Sequence, residues 1–247
     1  MTAPARFSDL KKLSQSPAHY RHAVDHDSVQ SPTLRRGSGV HAVVLGTPFA
    51  VWEDRRAGKA WESFASEHAG IPILNEAEHN TAQLMMAKVK AHPLAARLLL
   101  GADMTREQRI DWTRDGRACR GTPDAHGDGI LVDLKTTKCS EPEKFSRAAK
   151  WYGYHAQLAW YASGLLANGI ETRKLYIVGV EATAPHCVTV LELEPSAWLA
   201  GDALVASWWE RLRQCEAADE WPGYTDAPVR FGIDDETLSI GGEDFEF

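Results

Sequence analysis

The chain has 247 residues and a formal net charge of −7, and 44% of its residues are hydrophobic. It can bury a substantial core, no apolar run is long enough to cross a bilayer, and its first twelve residues lack the apolar segment of a secretory signal. These features predict a cytoplasmic protein without a membrane segment. The four cysteines are scattered without a CxxC pair, which argues against structural zinc and against a four-cysteine iron–sulfur cluster.

The negative charge is concentrated towards the C-terminal end. Residues 216–247 contain ten acidic side chains and one basic side chain, a net charge of −9, which leaves +2 of the total for residues 1–215. A near-neutral body with local basic clusters can still hold a nucleic acid in a groove. We predict one folded domain over residues 1–221 and an acidic tail over residues 222–247.

The N-terminal part is typical of successive helices. Ser8 and the pair Ser16-Pro17 have the residue types of two helix starts. Ser31-Pro32 predicts a third helix that runs to Leu45, where a glycine and a proline follow.

The third helix contains His41 close to Gly37 and Gly39. Glycine inside a helix costs about 1 kcal/mol relative to alanine, so the two glycines indicate close packing or the close approach of a ligand. A lone helical histidine is, by its type alone, more often structural than catalytic.

Two more helices are predicted before the pattern changes. Asn75 and Glu78 have the spacing of a capping box at the start of the first helix, and Leu94–Leu100 forms the second. The expected core face of the first helix consists of Leu84, Met85, Ala87 and Val89.

The following segment has the period of β-strands. Arg106–Trp112 alternates between polar and apolar residues, with Glu107 on the polar face. Asp115-Gly116 predicts a tight turn into a second strand over Ala118–Asp124, and Asp128-Gly129 predicts another turn into a third strand. We expect three consecutive antiparallel strands.

The second turn determines which side chains face each other. If Gly127 lies opposite Ile130, Asp124 lies opposite Asp133, and Lys135 follows two residues later on the same face. Two opposed carboxylates repel each other unless a cation such as Mg²⁺ or Mn²⁺ neutralises them. Such an ion can activate water, and a lysine can position that water. The same residues also suit a surface hairpin with an Asp–Lys pair, and this alternative stays open here.

A further helix is predicted after the hairpin. Ser140 and Glu143 form a second expected capping box, and helical periodicity continues to Leu166. Gln157 and Tyr161 are four residues apart and therefore share one face. A basic cluster follows the hairpin directly, either as DNA-phosphate contacts or as a solvated helix face: Lys138, Lys144, Arg147 and Lys150.

The remaining elements are two strands and a long helix. The strands cover Leu175–Val180 and Cys187–Leu193, and the helix begins at Pro195. Its expected core stripe consists of Trp198, Leu204, Trp208 and Leu212.

Several segments in this order resemble the PD-(D/E)xK nuclease superfamily, in which Pro123-Asp124 is followed by Asp133-Leu134-Lys135. The branch with the RecB nuclease domain and the RecE-type phage exonucleases is similar, and the RecE type is the closer match. Its motifs correspond to SDLKKLSQSPAHY from Ser8, Gly39-Val40-His41, Trp151–Gln157, and Glu181 with Pro185. The resemblance covers residues 7–221 and implies an α/β fold with a restriction-endonuclease-like core, a mixed β-sheet flanked by helices.

The resemblance also implies roles for individual residues. Lys135 would orient or activate the attacking water, and Gln157 and Tyr161 would support the metal site or the scissile phosphate. Glu107 matches an acidic residue of the family's first strand, and a surface salt bridge is its alternative role. The implied metal ligands are His41, Asp124, Asp133 and the backbone carbonyl of Leu134.

The implied activity is a DNA exonuclease that hydrolyses phosphodiester bonds at duplex ends with Mg²⁺ or Mn²⁺, for phage or prophage recombination. An inactive relative that binds DNA or a partner remains a second hypothesis, and an endonuclease or repair nuclease of the same fold remains a third. The resemblance further implies a homo-oligomer.

The end of the acidic tail, Gly241–Phe247, places two phenylalanines among carboxylates. This pattern indicates a docking motif for a single-strand annealing protein. Packing of the tail onto its own domain and shielding of the DNA groove are the alternatives.

Overall fold

A computed structural model of the protein describes residues 3–26, 32–230, 238–240 and 243–245. A 3₁₀ turn over Lys11–Ser14 follows the first helix. The helices are α1 (Phe7–Leu10), α2 (Pro17–Asp25), α3 (Pro32–Leu45), α4 (Gly58–Glu67), α5 (Glu76–Ala91), α6 (Pro93–Leu100), α7 (Pro142–Trp151), α8 (Tyr154–Ala167) and α9 (Pro195–Ala218). The strands are β1 (Ala5–Arg6), β2 (Ala50–Val51), β3 (Ile73–Leu74), β4 (Thr105–Arg106), β5 (Ile110–Arg114), β6 (Arg117–Gly121), β7 (Ala125–Gly127), β8 (Ile130–Thr137), β9 (Lys174–Glu181), β10 (Val188–Glu192), β11 (Leu238–Ile240) and β12 (Glu243–Phe245).

A mixed five-stranded sheet forms the centre of the fold. Its strand order is β10-β9-β8-β7-β4, in which β8 and β9 are parallel and the other neighbours are antiparallel. A parallel pair needs a long crossover, and here α7 and α8 provide it. The expected α/β class, a mixed sheet flanked by helices, is confirmed.

The sheet separates two hydrophobic cores because its central strands are buried on both faces. Leu131 and Leu175 point into a core shared with α7, α8 and α9. Val132 and Leu134 point into a core shared with α3, α5 and α6. The period of two along β8 therefore places Asp133 on the first side and its two neighbours on the second.

The strands around the two D-G turns belong to different sheets, which corrects the expectation of three consecutive antiparallel strands. Both turns have positive φ at both central residues, as type I′ requires: 48° and 78° at Asp115-Gly116, and 46° and 72° at Asp128-Gly129. The first turn joins β5 and β6, which form a three-stranded sheet with β1, whereas the second joins β7 and β8 of the central sheet.

The predicted strand Arg106–Trp112 is likewise wrong. It contains the end of β4 and the start of β5, which lie in different sheets. Glu107 separates them with φ of 48°, a left-handed conformation that no continuous strand accommodates.

Several helix boundaries follow the sequence signals. The Ser16 hydroxyl caps α2 by accepting a hydrogen bond from the His19 N–H, and α3 ends at Leu45 as expected. Asn75 and Glu78 form both hydrogen bonds of the capping box, at 2.8 and 2.9 Å. The predicted α6, β9 and β10 are present with ends shifted by at most one residue.

Two other helix starts are corrected. The first helix begins at Phe7 rather than after Ser8, and it continues as the 3₁₀ turn. The cap of α7 is Glu141, whose carboxylate accepts hydrogen bonds from two N–H groups of the first turn. Ser140 is instead buried, and its N–H donates to Glu181 Oε1 at 2.8 Å.

The continuous helix expected up to Leu166 is two helices. Tyr152 ends α7, and Gly153 has φ of 67° and ψ of 34° before α8 begins. This left-handed residue turns the chain at a corner, which glycine allows without steric strain.

The predicted core faces of α5 and α9 are also partly wrong. In α5, Met85 and Val89 are buried as expected and Ala82 completes the buried stripe, whereas Leu84 and Ala87 are exposed. In α9, Leu204 is exposed and Trp209 is buried. The buried residues are Ala82, Met85 and Val89 in α5, and Gly201, Val205, Trp209, Leu212 and Cys215 in α9.

Three elements between residues 50 and 74, namely β2, α4 and β3, had no counterpart among the predictions. The close packing expected at the glycines of α3 occurs at Gly39, where a Cβ would collide with the Leu74 side chain. All four cysteines are free thiols. Within the described ranges, no helix combines the length and apolarity needed to cross a membrane.

Candidate active site

The β7–β8 hairpin has the register that counting from its turn predicts. Gly127 pairs with Ile130, and Ala125 pairs with Val132. Asp124 precedes β7 by one residue and so arrives beside Asp133. Since β9 covers the other edge of β8, Asp133 is fully buried, with 0% exposure.

Lys135 and Asp133 form a buried ion pair. The Lys135 Nζ lies 2.6 Å from Asp133 Oδ2, yet neither carboxylate oxygen of Asp133 accepts a well-directed hydrogen bond within the described structure. Lys135 Nζ also donates to Gln157 Oε1 at 3.1 Å, and the Gln157 amide donates to the Tyr161 hydroxyl at 3.2 Å. The first turns of α8 thus fix the position of the lysine.

Asp124 connects the sheet to helix α3. Its Oδ2 accepts a hydrogen bond of 2.5 Å from the backbone N–H of Leu134, and its Oδ1 lies 3.3 Å from His41 Nδ1. The structure therefore brings the helical histidine to the aspartate. For Leu134, it shows this N–H contact, and the metal-binding role of its carbonyl stays a prediction.

Glu107 joins the same cluster. One ligand atom each from His41, Glu107 and Asp124 lies within 4.8 Å of the other two. The strained φ of Glu107 turns its side chain here, and its N–H donates to the Asp124 carbonyl at 3.1 Å. The alternative of a surface salt bridge does not describe this position. Asp133 lies outside the three-residue group.

The protonation of the cluster reflects crowded negative charge. Burial, reinforced by the Asp124 charge, raises the pKa of Glu107 to about 7. Burial also raises the pKa of Asp133 to about 6, although the Lys135 ammonium opposes the shift. The carboxylates thus exceed the positive charge available to them.

The two basic groups respond to the same charge. Burial disfavours protonated His41, but the Asp124 carboxylate outweighs burial and raises the pKa of the imidazole. For Lys135, burial is likewise outweighed by Asp133, which raises the pKa of the ammonium. The pKa of Asp124 is lowered: burial alone would raise it, and His41 reverses the sign.

This donor set fits a divalent metal ion. Asp133 presents buried carboxylate oxygens that accept no well-directed hydrogen bond and are paired with Lys135 alone among the described basic side chains, and Glu107 and Asp124 add further carboxylates beside one imidazole. Hard cations such as Mg²⁺ and Mn²⁺ prefer oxygen ligands, and a bound cation would favour the ionised form of the two carboxyls whose pKa values are raised by burial and, secondarily, by repulsion.

The cluster lies in an open groove of about 1630 Å³. Small-molecule pockets are typically about 300–1,000 Å³, so this volume suits a polymer better than a metabolite. His41, Asp124 and Lys135 line the groove together with Lys138 and Lys144.

The other two basic residues of the predicted DNA-binding cluster lie elsewhere on α7. Arg147 and Lys150 are exposed and are not among the described residues that line the groove. Arg147 is 3.9 Å from Glu143 in an exposed ion pair. Arg36 of α3, by contrast, lines the groove, although by its position in the sequence a solvated helix face was the favoured interpretation and a phosphate contact the alternative.

The site can be compared with known proteins. A family model described as "PDDEXK-like domain of unknown function (DUF3799)" matches residues 6–227. The crystal structure of a proposed exonuclease from Eubacterium rectale is similar over 94% of this chain and 91% of that one, with 13% identity and a TM-score of 0.65. This likeness shows a shared fold.

The alkaline exonuclease LHK-Exo from Laribacter hongkongensis is a weaker match, with 15% identity, a TM-score of 0.34, and coverage of 74% of this chain and 95% of that one. This likeness is too low to add to the fold assignment. No curated protein matches the sequence.

Proposed function

This chain belongs to the family of PDDEXK-like domains of unknown function, DUF3799, and from that membership we propose that it is a metal-dependent nuclease acting on DNA. The observation that carries the proposal is the buried pair of Asp133 and Lys135 beside Asp124: Lys135 and Asp124 line a groove with polymer dimensions, and Asp133 lies fully buried next to them. Apart from its ion pair with Lys135, this buried carboxylate accepts no well-directed hydrogen bond, which suits a metal ligand.

The proposed ligands of Mg²⁺ or Mn²⁺ are Asp124, Asp133, His41 and the Leu134 carbonyl, with Glu107 as a further carboxylate. The bound ion supplies activation of water and stabilisation of negative charge on the phosphate. Asp124 is oriented for this role by the Leu134 N–H, which occupies one of its oxygens and leaves the other towards His41.

Lys135 acts as a charged donor that orients the water or the scissile phosphate. Its raised pKa keeps it protonated at neutral pH, so it contributes a positive charge rather than a basic lone pair. Gln157 holds the ammonium in place, and Tyr161 holds Gln157. Burial raises the pKa of Tyr161, which therefore stays a neutral phenol.

Lys138 and Lys144 are proposed to contact the DNA backbone within the groove. Arg147 and Lys150 follow on α7 and would meet the strand where it leaves the groove. All four contacts would be independent of base sequence.

We further propose that the enzyme is an exonuclease acting on duplex ends in phage or prophage recombination, on the basis of the RecE-type motifs in the sequence. The same motifs support a homo-oligomer. An annealing protein that binds the single-stranded product is the proposed partner of the acidic tail, whose last segment, 241–247, lies largely outside the described residues. Deleting that segment should abolish capture of the annealing protein without changing the cleavage rate.

One experiment separates the functional alternatives. Linear and circular duplex DNA, with each strand end-labelled in the linear form, are incubated with the protein and Mg²⁺, Mn²⁺ or EDTA. Progressive loss of the linear DNA, with the circle intact and no reaction in EDTA, supports the exonuclease. Cleavage of the circle would favour the endonuclease, and binding without cleavage would favour the inactive relative.

A further inference from the structure

The corner between α7 and α8 carries aromatic side chains that the proposed chemistry does not use. Trp151 is 85% exposed and Tyr152 is 51% exposed, and Tyr154 lies just beyond Gly153. Large aromatic side chains gain strongly from burial, so exposed ones that line a cleft indicate a binding surface. Among the described residues that line the groove, Tyr152 and Tyr154 are the only tyrosines, and tryptophan and phenylalanine are not represented.

The two tyrosine rings lead outward from the active site. The Lys135 Nζ lies 4.8 Å from the ring centroid of Tyr154. The rings of Tyr154 and Tyr152 are 5.8 Å apart with an interplanar angle of 25°, so they are nearly parallel. Tyr152 is therefore within about three nucleotide steps of Lys135, at roughly 3.4 Å for each step.

Positive charge flanks the outer ring. Lys11 Nζ donates a hydrogen bond of 2.6 Å to the Tyr152 carbonyl and lies 6.0 Å from the centroid of the Tyr152 ring. Burial, together with the nearby Lys135 charge, lowers the pKa of Lys11. An aromatic ring that receives a base, beside an ammonium that receives a phosphate, is the combination by which proteins bind single-stranded nucleic acid.

We propose that Tyr152, supported by Tyr154, is a stacking platform for an unpaired base of the DNA strand being cut. This inference rests on the proposed nuclease function and adds the form of its substrate. The faces of a base inside a duplex are covered by its neighbours, so the strand must reach the platform as a single strand or as a frayed end. Stacking does not distinguish between bases, and the platform would accept any sequence.

The test measures binding without cleavage. Protein in EDTA is titrated with a fluorescent single-stranded oligonucleotide, and with versions that carry one abasic nucleotide at successive positions. We expect Tyr152→Ala to weaken binding of the intact strand about fivefold or more, because base stacking on an aromatic side chain has at least that effect. One abasic position should weaken binding to the wild type by a similar factor, and Tyr152→Ala should abolish that sensitivity.

Two variants act as controls. Tyr152→Phe keeps the ring and should bind as the wild type does. Trp151→Ala removes the more exposed neighbour, which does not line the groove, and should also retain wild-type affinity. Closed circular duplex DNA should bind Tyr152→Ala and wild type equally, since it has no end to fray and presents no unpaired base. Melting temperatures confirm that each variant is folded.

The platform is overturned if the wild type and Tyr152→Ala lose the same affinity at every abasic position, or if Trp151→Ala weakens binding as much as Tyr152→Ala. A parallel cleavage assay with Mg²⁺ and Mn²⁺ reports on the proposed function separately. If the wild type cleaves DNA but its binding is insensitive to abasic positions, the stacking platform is rejected and the nuclease proposal stands. Abasic sensitivity without cleavage would support the platform and reject the nuclease.

Discussion

Asp133 is a buried carboxylate whose negative charge its surroundings compensate only in part. It is fully buried, its oxygens accept no well-directed hydrogen bond, and its pKa is raised to about 6. An acid with a raised pKa in the folded state holds its proton more tightly there than in the unfolded chain. Its ionisation therefore destabilises the metal-free protein as the pH rises from about 4 to about 6.

Asp133→Asn should accordingly stabilise the metal-free protein at pH 8. The expected gain in free energy of unfolding is on the order of 3 kcal/mol, since the pKa is raised from 3.8 to about 6 and each pKa unit corresponds to about 1.4 kcal/mol. At pH 4 the gain should fall to a small part of that value, because the wild-type carboxyl is protonated in the folded state and partly protonated in the unfolded state. Urea denaturation in EDTA at the two pH values measures this difference. If the variant were less stable than the wild type at pH 8, the inference that the ionised Asp133 carboxylate destabilises the metal-free protein would be contradicted.

The same variant should lose cleavage by at least about 100-fold, because a ligand of the proposed ion becomes neutral. Its circular dichroism spectrum and its binding to DNA in EDTA should remain those of the wild type. Cleavage at the wild-type rate would place the active site elsewhere.

Lys135→Ala should also reduce the cleavage rate by about 100-fold or more, while the protein still binds Mn²⁺ in a calorimetric titration. The ammonium contributes charge at the reaction centre, whereas the carboxylates remain to hold the ion. Lys174→Ala is a suitable control, since Lys174 is an exposed lysine of β9 paired with Glu192. Loss of Mn²⁺ binding in the Lys135 variant would show that the lysine holds the metal ligands in position and does not act mainly in the cleavage step.

The positions of Asp124, Asp133 and Lys135 were predictable because turn chemistry and the period of a strand are local properties. The contact between His41 and Asp124 was not, because a helix distant in sequence provides it, and only a motif resemblance connected the two. Glu107 was placed on the polar face of a strand by its alternating neighbours. Its true position depends on the left-handed backbone conformation of Glu107, which the alternation of polar and apolar residues does not predict.

At the scale of elements, helical periodicity predicted α3, α5, α6 and α9 but not the break at Gly153. The residues on both sides of the break are compatible with a helix, so the pattern continues through it. The two D-G turns were identified correctly, yet their strands belong to different sheets, because sheet membership depends on pairing with β1 and β9. Pairing between distant strands leaves no local signal.

Gly153→Ala tests the corner between α7 and α8. The substitution should destabilise the protein by about 1–2 kcal/mol, because residues with a Cβ disfavour the left-handed conformation. The penalty is conformational, since the nearest atom to the added Cβ, on Trp208, is 4.0 Å away. Gly37→Ala, inside α3 with open space around it, should instead stabilise by about 0.5–1 kcal/mol. If Gly153→Ala and Gly37→Ala changed the melting temperature equally, the left-handed conformation assigned to Gly153 would be contradicted.

The basic residues of α7 and its approach can be separated into two pairs of equal charge. Neutralising Lys138 and Lys144, which line the groove, should weaken DNA binding and reduce the salt slope by about 0.7–0.9 for each lost contact. Neutralising Arg147 and Lys150 should have a smaller effect. Fluorescence anisotropy across a salt series measures both slopes. Identical slopes for the two variants would indicate a general charge effect instead of contacts in the groove.

At the scale of the whole molecule, the chain remains in contact with the domain slightly beyond residue 221. Trp221 stacks on Tyr20 with ring centroids 5.6 Å apart, and the Pro222 carbonyl accepts a hydrogen bond from the Ala18 N–H. Tyr224 lies 5.4 Å from the His19 ring. The predicted division into residues 1–221 and 222–247 remains a proposal, and these contacts place its working boundary nearer residue 225.

Two truncations test that boundary. Ending the chain after residue 230 should leave the melting temperature unchanged. Ending it after residue 218 removes the contacts with α2 and should lower the melting temperature by about 5 °C, since each kcal/mol corresponds to roughly 2–4 °C at this size. A similar decrease in both truncations would show that residues 231–247 also pack onto the domain.

The parallel pairing of β8 with β9 has a consequence for biosynthesis. Strand β8 carries Asp133 and Lys135, but it gains its second neighbour only after α7 and α8 have been translated and β9 has followed. A nascent chain that ends before β9 lacks the strand that encloses Asp133, so it cannot hold the cluster in its final geometry. On the proposed function, hydrolytic capacity would therefore arise only when translation of the sheet is complete.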